Sequence, residues 1–127
     1  MKDTFSKTNE TGGRLPSLPF ALFKEKILGK KYDLSLVFVG GGKIHSLNKK
    51  YRKVNSPTDI LSFPLNKDSG EIFICEKLAK MKAKEFGRGY RNFIAFLFIH
   101  GCVHLLGHEH GKKMERLEEK YRKYFRV

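Results

Sequence analysis

The chain has 127 residues, of which 40% are hydrophobic and 31% charged, enough for one globular domain with a heavily charged surface. Lys and Arg number 26 against 13 Asp and Glu, a formal charge of +13, a balance that points to a polyanion, most simply nucleic acid, and that a basic surface without a specific partner or an acidic membrane surface would also explain. Cys75 and Cys102 are too few for a disulfide framework and read as reduced core residues. Residues 1–13 are polar, with no secretory signal, and the apolar run 93–106 is too short to span a membrane and is interrupted by His100 and His104. The expectation is a cytoplasmic protein with no membrane partner.

Taken in order, residues 1–13 form either an edge strand around Phe5 or a loose arm. Ser17 caps a short helix from Pro19 to Leu28, with Phe20, Leu22, Phe23 and Ile27 inward and Gly29 ending it. Tyr32 to Val39 alternates as a largely buried strand. Gly40-Gly41-Gly42 fits no phosphate-binding pattern and reads as a strand-to-helix loop. Lys43 to Lys53 reads as a helix with Ile44, Leu47 and Tyr51 inward and His45 toward solvent. Ile60 to Phe63 is a short strand ended by Pro64. Glu71 to Ile74 returns beside it as an antiparallel hairpin. Glu76 to Gly87 is a helix with a basic, solvated face. Tyr90 to Leu106 is apolar nearly all round and reads as the buried central helix. Lys112 to Phe125 is a charged helix with Met114, Leu117, Tyr121 and Tyr124 inward. Its Glu115, Glu118 and Glu119 suit exposed pairs with Lys120, Arg122 and Lys123. No linker or repeat divides the chain, so residues 1–127 read as a single domain.

Residues 100–110 carry four of the five histidines. On a helix, His100 and His104 stand one turn apart on one face and can grip one metal ion. His110 joins them only if the chain turns back, because a continuing helix would carry it roughly 15 Å along the axis. Gly107 stands where that turn is needed. Cys102 points away from this face. His108 and Glu109 lie in the turn, placed to hydrogen-bond and orient a ligand imidazole. In the H-E-x-x-H helix of zinc peptidases the residue after the first His is the general base; here it is Gly101, so peptide hydrolysis loses its base.

His100 to His110 resembles the H-G-x-L-H-L-x-G-Y-D-H signature of the YbeY family of metal-dependent endoribonucleases, which act in ribosomal RNA maturation. The chain keeps His100, Gly101, His104, Leu105, Gly107 and His110, with Val103, His108 and Glu109 where the family has Leu, Tyr and Asp. Leu47-Asn48, Tyr51-Arg52 and the stretch Pro57 to Pro64 resemble its L-N-x-x-Y-R and P-T-[DN]-V-L-S-F-P blocks. Gly70-Glu71-Ile72 stands at its G-D-I. In all, the resemblance covers about residues 32–125. It implies a metal-dependent, single-strand-preferring endoribonuclease of ribosomal RNA, including the 3′ end of 16S rRNA, with ribosome or small-subunit assembly components as partners. It also places Arg52 at the position of a functional arginine.

Three imidazoles leave one coordination position open and accept one divalent ion, zinc foremost among zinc, nickel and copper. Their neutrality leaves the ion's charge for an anionic substrate such as a phosphodiester. Arg52 is the cation expected to stabilise the extra charge of the transition state. Glu109 and His108 are the candidate bases, and attack by water or by the substrate's 2′-hydroxyl fits equally. The competing readings are a non-catalytic RNA- or ribosome-binding factor with a structural zinc, favoured if His108 is a fourth ligand, and a metallopeptidase, disfavoured by Gly101. The expected fold is α+β: a small mixed sheet of three to four strands packed with helices, with the metal site at the end of the central helix.

Overall fold

The computed structural model describes residues 4–107 and 111–127. The elements are β1 (Phe5–Asn9), α1 (Phe20–Leu28), β2 (Asp33–Val39), α2 (Gly41–Arg52), β3 (Ile60–Asn66), β4 (Ser69–Cys75), α3 (Glu76–Glu85), α4 (Tyr90–Leu105) and α5 (Lys112–Phe125). The strands form one sheet in the order β1-β2-β4-β3. β1 and β4 both run parallel to β2, and β3 pairs antiparallel with β4. The sheet is therefore mixed, as the α+β expectation required, and Phe5 does begin an edge strand.

Strand alternation divides the core in two. Leu34, Leu36, Phe38, Ile72 and Ile74 pack with α1, α4 and Met114 of α5 on one face. Val37, Val39, Leu61 and Cys75 pack with Ile44 of α2 on the other. α4 is buried along most of its length because its non-sheet sides meet α1, α3 and α5. It comes close to the sheet at Gly101, where an added Cβ would lie 3.0 Å from Cδ1 of Ile72 and 3.2 Å from Cδ1 of Ile60. Cys75 and Cys102 are free and buried. Among the described residues, no helix is long and apolar enough to cross a membrane.

Several local expectations change. No side chain caps α1; the Ser17 carbonyl instead accepts Nε and Nη2 of Arg91, at 2.9 and 2.6 Å. The inward stripe of α1 is Phe20, Phe23, Lys24 and Ile27, so Leu22 faces out and Lys24 faces in. The Lys24 ammonium stays hydrogen-bonded, donating to Thr4 Oγ1 at 2.9 Å and the Lys30 carbonyl at 3.1 Å. α2 begins at Gly41, inside the expected loop. Tyr51 is exposed, with its ring 5.1 Å from that of Phe63, and Tyr124 is exposed on α5. β3 runs on past Pro64, which an edge strand tolerates, with a register irregularity between Pro64 and Asn66.

Candidate functional site

The last two turns of α4 bring His100 and His104 to one cleft of about 260 Å³. Arg52, the final residue of α2, lines the same cleft, with Thr58, Asp59 and Ser62. Each wall has a local cause. Lys53 takes the left-handed conformation (φ 57°) and closes α2 directly after Arg52. Buried Asn48 donates from Nδ2 to the Ser56 carbonyl at 2.8 Å and holds the segment that leads from Arg52 into β3. Ser62 Oγ donates to the Gly101 carbonyl at 3.0 Å, tying β3 to the helical turn between the two histidines. Asp59 is buried, and its Oδ2 lies 3.5 Å from Nζ of Lys82.

The histidine stretch ends as its sequence implies. α4 ends at Leu105, and Gly107 has φ +92° with its N–H donating to the His104 carbonyl at 3.1 Å. His108, Glu109 and His110 lie outside the described residues. Among the described residues, no three His, Cys, Asp or Glu side chains gather into a metal set.

Glu118 is the site residue that the sequence reading missed. Nδ1 of His100 lies 2.6 Å from Oε1 of Glu118, whose side chain is only 9% exposed. An ionised carboxylate only accepts, so Nδ1 is the donor of this pair. Arg122 Nη1 stands 4.0 Å from the same oxygen. The signal was present in the spacing: Met114, Leu117, Glu118 and Tyr121 fall on one helical stripe, and assigning Glu118 to an exposed ion pair overlooked its place on it.

Gly101 marks what the cleft excludes. Its missing side chain faces Ile72 and Ile60, both on the sheet. A glutamate there would enter the core, so this helix cannot carry the peptidase base.

Fold and cleft together define a small α+β domain with a histidine-lined cleft at the end of its central helix. It belongs to the endoribonuclease YbeY family, whose family model matches residues 16–126. It is 40% identical over 92 residues to endoribonuclease YbeY of Carboxydothermus hydrogenoformans, a match covering 68% of this chain and 64% of that protein. It is 44% identical over 98 residues to endoribonuclease YbeY of Campylobacter jejuni subsp. jejuni, covering 73% and 72%. Its fold is similar to the solution structure of TM1509 from Thermotoga maritima, with TM-score 0.65 and 26% identity over 96% of this chain and 91% of that one. The resemblance carried by the sequence blocks is thereby borne out.

Proposed function

We propose that the chain is a metal-dependent, single-strand-preferring endoribonuclease of ribosomal RNA maturation, acting in the cytoplasm at sites that include the 3′ end of 16S rRNA. The observation that carries this reading is the meeting of His100, His104 and Arg52 in one cleft, in a chain whose relatives are named endoribonucleases. Ribosomal or small-subunit assembly components are the proposed partners. The excess of 26 Lys and Arg over 13 Asp and Glu would hold the RNA backbone, with affinity falling steeply as salt rises.

The donor set fits a divalent ion, zinc foremost. His100 is braced at Nδ1 by a buried carboxylate, the arrangement that orients metal-ligating imidazoles and raises their basicity. His100, His104 and His110 would hold the ion. When bound, it supplies Lewis acidity at the reacting phosphodiester. The chain's own residues do the rest. Arg52 offers paired N–H donors to the phosphoryl oxygens and stabilises their added charge. Glu118 keeps the His100 ring in one tautomer. Glu109 or His108 would accept the nucleophile's proton.

The test pairs metal content with cleavage of a single-stranded RNA, for wild type and for His100→Ala and His110→Ala. About one metal ion per wild-type chain, lost together with cleavage in both variants, is expected. Full cleavage by His100→Ala in a nuclease-free preparation overturns the reading. Bound metal with no cleavage by wild type points instead to a non-catalytic RNA-binding factor.

A further inference from the structure

We propose that the aromatic recess between α3, α4 and α5 binds one nucleobase of single-stranded RNA, beside the phosphodiester held at His100 and His104. The location of that phosphodiester rests on the endoribonuclease reading; the stacking site stands on its own geometry. The recess, of about 390 Å³, shares Asp59, Ile60 and His100 with the histidine cleft, so a strand lying in one reaches the other.

Three rings build its wall. Phe86 and Phe93 stack with centroids 5.6 Å apart and planes at 23°, and Phe93 and Phe96 at 5.6 Å and 14°. Phe86 and Phe96 lie 6.5 Å apart at 34°, so the three rings form a triangular cluster around buried Phe93, and Phe86, 60% exposed, is its ring open to solvent. The guanidinium carbons of Arg88 and Arg122 stand 4.5 and 5.1 Å from the Phe96 centroid. Flat rings and guanidinium planes are the surfaces on which unpaired bases stack, with little regard to sequence.

Charge selects the occupant. Two of the carboxylates that line the recess already have partners: Asp59 faces Lys82 and Glu118 faces His100. The third, Glu115, is exposed. A phosphate would meet these acids, whereas an uncharged base meets the rings. Phosphates on either side of the base would meet Arg122, Lys82 and the cleft's Arg52. An apolar protein segment is the poorer fit, because Phe86 is the only large exposed hydrophobic residue on this wall among the described residues.

The experiment measures binding by fluorescence polarisation of short single-stranded 2′-O-methyl RNAs, one with all bases and a set each carrying a single abasic position. Phe86→Ala, a surface change, is expected to weaken binding of the full RNA about tenfold. Phe86→Trp restores it. At one abasic position wild type and Phe86→Ala bind equally, because the base that the ring holds is already gone. Unchanged binding by Phe86→Ala overturns the proposal and leaves the patch to a protein partner. An equal loss on every abasic RNA also overturns it. Cleavage of unmodified RNA by wild type separates this from the proposed activity. Cleavage without the abasic signature sinks the base site alone, and the signature without cleavage sinks the activity alone.

Discussion

His100 Nδ1 and Glu118 Oε1 lie 2.6 Å apart and join the central helix to the C-terminal helix across eighteen residues of sequence. The bond makes Nδ1 the His100 nitrogen that donates to Glu118. Glu118→Ala is expected to lower zinc affinity about 10- to 100-fold, read by competition with a chromophoric chelator. It should also destabilise the fold by about 1–3 kcal/mol, since the imidazole N–H loses its acceptor. Glu118→Gln, whose amide oxygen still accepts, should recover most of both. Unchanged zinc affinity in Glu118→Ala would show that the carboxylate braces the fold and not the metal.

Arg52 is exposed and ends its helix, so removing its side chain breaks no core contact. Arg52→Ala should leave the melting temperature and metal content as they are and lower kcat/KM on single-stranded RNA by about 10²–10³. Arg52→Lys should recover only part of this, because an ammonium cannot present two parallel donors to one phosphate. Cleavage at wild-type rates by Arg52→Ala would remove this residue from the chemistry.

The sequence made the histidine pair legible because an i, i+4 spacing projects two side chains to one side of a helix whatever surrounds it. The hairpin of β3 and β4 was legible for the same local reason. Glu118 was misplaced and Lys24 passed over on shared grounds: both sit on inward stripes, at Phe20+4 and Met114+4, where a charged side chain is not expected. Each is tolerated inside because a specific partner waits there, Thr4 and the Lys30 carbonyl for Lys24, His100 for Glu118. Those partners lie on other elements, so periodicity alone could not name them. The parallel pairing of β1 with β2 and of β2 with β4 was equally out of reach, since alternation reports which face is buried and not which strand is the neighbour.

Gly70 shows how tightly the end of α4 sits on the sheet. A Cβ there would lie 2.5 Å from the Tyr32 hydroxyl, 3.0 Å from Cδ2 of Leu105 and 3.0 Å from the Phe63 carbonyl oxygen. The last is backbone and cannot step aside. Gly70→Ala is expected to lower unfolding free energy by about 1–3 kcal/mol in urea titration, through overpacking. A variant as stable as wild type would mean that α4 and β4 separate more readily than these distances allow.

Alkaline pH should expose the burial of Cys102. The thiol is fully buried, and that burial pushes its pKa well above the ordinary 9.0, with Lys24 pulling weakly the other way. Below pH 9 both folded and unfolded chains hold the proton, and the full stability is present. Above it the unfolded chain releases the proton while the folded chain keeps it, so stability falls by up to about 1.4 kcal/mol per pH unit. Tyr32 and Tyr90, both raised by burial, act in the same direction above pH 10, while Lys24, lowered by burial, acts in the opposite one below pH 10.5. Comparison with Cys102→Ala separates the thiol from these. At neutral pH the variant should be less stable by about 1 kcal/mol, from the small cavity. Between pH 9 and 10 the two stabilities should converge, because only wild type has a thiol to lose. Curves that stay parallel through this range would place the thiol within reach of water.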